Sequence, residues 1–152
     1  MLSKSELSVK KSTLPGAGKG LFTKVAIPKG TLITEYTGRV STWNELSRLP
    51  DNAYLFYVTR NHVIDAKPYK TSLARFANDA RGINRMKGIT NNCEYVTVKK
   101  RVYIKAKRNI EPGEEILVGY GREYWDVIRE NKRQSKRFDD GKEGHRHKKT
   151  AR

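Results

Sequence analysis

The stretch NNCEYVTVKKRVYIKAKRNIEPGEEILVGYG, residues 91–121, carries most of the information about the fold. Its first half alternates apolar and polar residues over EYVTV (94–98) and RVYIKAK (101–107), the pattern of two half-buried strands. The VKK segment between them predicts a hairpin, although the usual Asn-Gly turn is missing. IEPGEE (110–115) is turn chemistry, and the short apolar run after it ends at Tyr120, set between Gly119 and Gly121. Glycine in a strand packs nothing and loses much backbone freedom on folding, so this pair implies that something closely approaches the main chain at Tyr120.

Further short strands are expected upstream at LSVKKST (7–13), TLITEYTG (31–38), YLFYV (54–58) and HVID (62–65). Turns separate them at LPGAGKG, IPKG and TRN. Helical stretches are few. Thr42 with Glu45 forms a capping box opening TWNELSRL, and Thr71 or Ser72 caps a turn or two at SLARFAND. REYWDVIRENKR (122–133) places Tyr124, Val127 and Ile128 at helical spacing. With no internal repeat and no alternation of strands with long helices, a parallel doubly wound sheet is excluded. The fold class is mainly β, a β-rich α+β domain over residues 5–128.

Composition bounds the partners. The chain has 152 residues and a net charge of +16, and residues 129–152 hold ten Lys or Arg against four acids. That segment has almost no aliphatic residues and reads as a disordered basic arm. Such an arm is drawn to DNA or chromatin with a salt-sensitive affinity, or is a solvated tail that aids solubility. No run approaches the ~18–20 apolar residues of a membrane span, so no membrane association is expected. The opening MLSKSELSVKK has no apolar run behind its charges, and Cys93 is the single cysteine. Both point to an intracellular protein without disulfides or a multi-thiolate zinc site.

Several catalytic motifs fail on spacing. A Walker loop at LPGAGKG needs Ser or Thr where Gly20 stands and glycine where Thr13 sits. A dinucleotide fingerprint from Gly16 needs glycine at Leu21. His62, His145 and His147 lack metal-ligand spacing, so no metal is expected, and no Gly-x-Ser-x-Gly element is present.

Three segments are left: GKGLFTKVAIPKGTLITEYTG (18–38), YLFYV followed by VIDA and SLARFAND (54–79), and the 91–121 stretch. In this order they resemble the SET-domain protein lysine methyltransferases, over about Lys11 to Trp125. The family opening has a G-x-G turn and a Tyr-x-Gly strand end, here Tyr36 and Gly38. Its centre has Arg-Phe-x-Asn-His before a Pro-Asn-Cys segment, and its close has a Pro-Gly-Glu-Glu turn and a tyrosine. Minimal members of this size, including viral ones, are known.

The resemblance implies small β-sheets with a closing pseudoknot, a rare threading that sets SLARFAND beside GEEILVGYG. It implies S-adenosylmethionine as cofactor, lined by Gly18, Lys19 and Gly20 through backbone groups and bound by Asn78, with Arg75 and Phe76 in support. Tyr120 is the implied catalytic tyrosine, which also borders the cofactor, and Trp125 covers the adenine or closes the lysine channel. Tyr36, Tyr54, Tyr57 and Tyr95 are the candidate channel walls. The family histidine after Asn78 is replaced by Asp79, which puts cofactor affinity in question if the ring itself is needed. The implied activity is protein-lysine N-methylation, with a histone tail as first substrate and another basic nucleic-acid-associated protein as second. The alternative is a catalytically weakened SET-like module that binds chromatin or nucleic acid. A histone substrate implies a nuclear or chromatin-associated location. The motifs are compatible with a monomer and with a homodimer that completes the site.

Overall fold

A computed structural model describes residues 1–48, 54–82, 85–121 and 149–150. In chain order the strands are β1 (Leu7–Lys11), β2 (Lys19–Thr23), β3 (Leu32–Glu35), β4 (Arg39–Ser41), β5 (Leu55–Thr59), β6 (His62–Asp65), β7 (Cys93–Val98), β8 (Arg101–Ala106), β9 (Glu115–Ile116) and β10 (Lys149–Thr150). One short helix, α1 (Trp43–Leu46), and 3-10 turns at Lys4–Glu6 and Leu73–Phe76 complete the described elements. No helix among the described residues is long and apolar enough to cross a membrane.

The alternating segments pair into three small sheets, ordered β1-β2-β9, β10-β5-β6-β4 and β3-β8-β7. All pairs are antiparallel except β10 on β5. The β7–β8 hairpin closes on Val98 opposite Arg101, leaving Lys99 and Lys100 as a two-residue loop with φ of 49° and 66°. Two left-handed residues in a row make the turn that matches strand twist, so lysines here do the work usually given to Asn-Gly. At α1 the Thr42 hydroxyl accepts the Glu45 N–H at 3.3 Å as expected. The Glu45 carboxylate accepts the Ser41 hydroxyl at 2.6 Å instead of closing a capping box. Ser72 stands at the N-cap of its 3-10 turn, but its hydroxyl accepts the Thr37 N–H at 3.3 Å.

One apolar core joins the three sheets: Leu21 and Ile116, Phe56 and Ile64, and Ile33, Val102 and Ile104, with Tyr36, Tyr95 and Tyr120 at its edge. Each such aliphatic or Phe side chain stabilises the fold by about 1.5–3 kcal/mol. After β9 the chain makes single parallel bridges, Leu117 with Asn78 and Val118 with Cys93. The Val118 N–H donates to Asn78 O at 2.8 Å, while the Asn92 and Cys93 N–H groups both donate to Leu117 O at 3.0 Å. The closing segment therefore runs between SLARFAND and NNC, the crossing expected from the sequence.

The helix expected at 122–133 lies outside the described residues, as does most of the basic arm. Within that arm, Lys149 and Thr150 are strand, aligned with Phe56 and Tyr57 of β5.

Candidate active site

Asn92 fixes the crossing with its side chain. Its carboxamide accepts the Leu117 N–H at 2.9 Å and donates to Glu115 O at 2.8 Å, a substitute for a neighbouring strand. Asp79 fixes the next turn. Its buried carboxylate accepts the Tyr120 N–H, the Arg81 N–H and the Asn91 Nδ2–H, each at 2.8 Å. A carboxylate has the acceptor sites for all three donors, whereas a neutral imidazole offers one. The residue that departs from the family pattern thus holds the backbone of the tyrosine.

The 18–20 turn meets Asn78. The Asn78 Nδ2–H donates to Lys19 O at 2.9 Å and leans on Glu115 Oε2 at 3.4 Å. Glu115 is only 6% exposed and also accepts from the Ser12 hydroxyl at 2.7 Å, the Thr13 hydroxyl at 2.6 Å and the Thr13 N–H at 2.8 Å. A Cβ at Gly20 would overlap Glu115 Oε2, so that glycine is required by the chain itself. Gly18 differs: its φ is 73° and the space where a Cβ would stand is open. At the far end, Gly121 needs its glycine for a φ of 96°. The close approach inferred at Gly119 is not made by the described chain, since a Cβ there would meet Asn91 Nδ2 at an ordinary 3.6 Å.

Arg75 works as a brace. Its guanidinium donates to Ala66 O at 3.0 Å and Lys67 O at 2.9 Å, and lies over the rings of Tyr54 and Phe76 at 4.7 and 4.9 Å from their centroids. Planar stacking plus a fork of donors is chemistry specific to arginine.

Beside this knot the rings gather. Phe56 and Tyr95 meet at 4.8 Å between centroids, Tyr36 and Phe56 at 5.5 Å, Tyr36 and Tyr95 at 6.1 Å, and Tyr95 and Tyr120 stack at 6.5 Å. The Tyr36 hydroxyl donates to Tyr54 O at 2.7 Å, and the Tyr120 hydroxyl donates to Ala77 O. Into this cage reaches the side chain of Lys149, whose Nζ donates to the Tyr36 hydroxyl at 3.0 Å. The same nitrogen lies 5.1, 5.9 and 5.2 Å from the ring centroids of Tyr36, Tyr54 and Tyr120. Burial pushes the Lys149 amine down to about 7, because leaving water penalises the ammonium form. Burial likewise pushes the Cys93 thiol up to about 12, which makes it a poor nucleophile.

Of the expected channel walls, Tyr36, Tyr54 and Tyr95 come together with Tyr120, the expected catalytic tyrosine. Tyr57 does not join them. It points to the other face of β5, packing with the Leu46, Leu55 and Val63 cluster and meeting Trp43 edge-on at 6.1 Å. Phe56 takes the place expected of it. Strand alternation carries that signal: residues 54 and 56 share a face, and 55 and 57 share the other. Glu115, Ser12, Thr13 and Lys149 were also not foreseen. Trp125 lies outside the described residues.

The SET domain family model matches residues 18–121, which take in the glycine turn, the Asn78 crossing and Tyr120. The chain belongs to the SET-domain family. Relatives of this SET domain include histone-lysine N-methyltransferase ash1 of Drosophila melanogaster, 33% identical over 68% of this chain and 5% of that protein. Histone-lysine N-methyltransferase ASHH1 of Arabidopsis thaliana is 32% identical over 72% of this chain and 23% of its own length. The chain therefore spans less than a quarter of either relative. Among solved structures, the methyltransferase domain of human PR domain-containing protein 2 superposes with a TM-score of 0.57 at 24% identity, covering 78% of this SET domain and 79% of that one. The shared fold is the one built above from small sheets and a closing crossing.

Proposed function

We propose that this SET domain is an S-adenosylmethionine-dependent protein-lysine N-methyltransferase. The observation that carries the reading is a lysine amine held among the rings of Tyr36, Tyr54 and Tyr120, beside the crossing that joins Val118 to Asn78.

The residues present fit the cofactor. The Gly18 turn has open space on its Cβ side, so main chain there can meet a ligand without side-chain interference, whereas at Gly20 that side is taken by Glu115 and Asn78. Asn78 stands at the edge of that turn, and Arg75, Phe76 and Asp79 hold the segment that carries it. When bound, the cofactor supplies a methyl group on a sulfonium.

The chain's own part is to present a neutral amine in line. An unperturbed lysine amine has a pKa near 10.4, so at neutral pH it is almost wholly protonated and has no lone pair to offer. A ring-walled channel excludes water and lowers that pKa. The Tyr36 hydroxyl accepts one N–H while giving its own proton to Tyr54 O, which fixes the amine's rotation. Tyr120 is locked by its hydroxyl on Ala77 O and its N–H on Asp79. Fixed geometry of this kind contributes several kcal/mol to a displacement, on the order of 7 or more in well-oriented cases.

The relatives' names support a histone tail as substrate, with another basic nucleic-acid-associated protein as the second candidate. A basic enzyme is not steered to a basic tail by charge. The 129–152 arm is then suited by its charge to docking on DNA or an acidic surface near the target, and the location that goes with this reading is chromatin in the nucleus. The alternative, a weakened chromatin-binding module, rested on Asp79; the three bonds Asp79 accepts favour a preserved site. Transfer of tritiated methyl from cofactor to a panel of histones and ribosomal proteins tests the reading. Labelled lysine, lost in Tyr120→Phe, is expected. A folded, cofactor-binding protein that labels neither the panel nor itself refutes it.

A further inference from the structure

Lys149, described within the basic arm, has surroundings that contradict the arm's composition. It is 2% exposed, and its neighbours are the rings that a substrate lysine would need. Its amine lies against π faces and donates to a phenol hydroxyl, a lining suited to a channel that takes up an amine.

The way the segment arrives also matters. Among the described residues, β10 lies on the outer edge of the second sheet, parallel to β5, with Lys149 and Thr150 in register with Phe56 and Tyr57. Edge addition of a short extended segment is a general mode of peptide docking: main chain supplies affinity and alternate side chains enter pockets. Lys149 follows Gly121, the last residue before it that the structure describes, by 28 positions.

We propose that Lys149 is a methyl acceptor of its own chain's site, modified in cis. The inference rests on the methyltransferase reading above. In the step, the lone pair of the neutral Lys149 Nζ forms a bond to the methyl carbon of the sulfonium cofactor. The carbon–sulfur bond breaks with its electron pair staying on sulfur, which leaves a neutral thioether. Nitrogen takes up the positive charge as a secondary ammonium, and its proton passes to water. The low pKa of the docked amine supplies the neutral form near pH 7.

The test incubates the full chain with methyl-labelled cofactor and no other protein, then locates the label by peptide mass mapping. Label on Lys149 is expected, at a fractional rate unchanged by hundredfold dilution. Lys149→Ala and Lys149→Arg should both lose it, while Lys149→Ala methylates the external histone and ribosomal panel at least as fast as the parent chain. A chain that methylates the panel but leaves Lys149 bare overturns this inference and leaves the activity standing. A rate proportional to protein concentration overturns modification in cis, since a second copy would then be the acceptor. If neither Lys149 nor the panel is labelled, this inference and the activity fall together.

Discussion

The carboxylate of Asp79 accepts the backbone N–H of Tyr120 at 2.8 Å, across 41 residues of sequence. One buried side chain thereby links the segment bearing Asn78, the NNC turn through Asn91, and the tyrosine. Removing it strands donors in a dry interior, at about 1–3 kcal/mol each. Asp79→Ala should lower stability by roughly 2–4 kcal/mol and cut methyl transfer along with it. Asp79→His, which restores the family residue, should also destabilise, because one acceptor cannot serve three donors. Urea unfolding with an unchanged slope measures both. Midpoints matching the parent chain would show that the three bonds contribute nothing.

The hairpin turn predicts a gain. Lys99 and Lys100 hold left-handed conformations that cost side-chain-bearing residues on the order of 1 kcal/mol each. Replacing Lys99 by Asn and Lys100 by Gly should stabilise the protein by about 1–2 kcal/mol. Both lysines are exposed, so no packing is lost. A double variant less stable than the parent would contradict this reading of the turn.

How far sequence carries is visible residue by residue. The β7–β8 hairpin was legible because period two over Glu94–Val98 and Arg101–Ala106 is a local pattern, and the turn chemistry is local too. The meeting of Asn78 and Val118 was not: forty residues apart, it followed only from resemblance, since no periodicity encodes a crossing. Glu115 escaped notice for the same reason, its partners Ser12 and Thr13 lying over a hundred residues away. Tyr57 packs on the other face of β5 from the ring cluster because strand parity, not residue type, decides the side, and parity sets Phe56 among the rings. Lys149 had no local signal at all. Its apolar environment belongs entirely to other segments, so a basic, aliphatic-poor stretch conceals a docking residue.

Within the cage, the Tyr36 hydroxyl both accepts from an amine and donates to Tyr54 O. Tyr36→Phe removes both bonds while keeping the ring. Transfer to an external lysine should fall about tenfold or more, mostly in kcat, given ~1.5 kcal/mol for a bond felt in the transition state. Tyr57→Phe is the contrast, since that ring packs on Trp43; its kcat/KM should stay within about twofold of the parent. Equal losses in the two variants would mean that the cage is not where the amine reacts.

The last prediction concerns pH. Burial holds the docked Lys149 amine at about 7, whereas an undocked amine titrates near 10.4. Below about 7 both forms carry the proton, and docking does not change with pH. Between the two values the free segment keeps a proton that the docked one has released, so docking strengthens as pH rises, by up to tenfold per unit. The window closes near 10.4, where the free amine is neutral as well. The sign is opposite to that of a salt bridge, which would hold Lys149 more tightly as the ammonium. A 15N-lysine spectrum, assigned by loss of one signal in Lys149→Ala, reads the protonation directly. One amine titrating close to 7 is expected, with methyl transfer to Lys149 climbing over the same interval. Were every lysine to titrate near 10.4, with transfer flat from pH 6 to 8, the buried neutral amine would have to be abandoned.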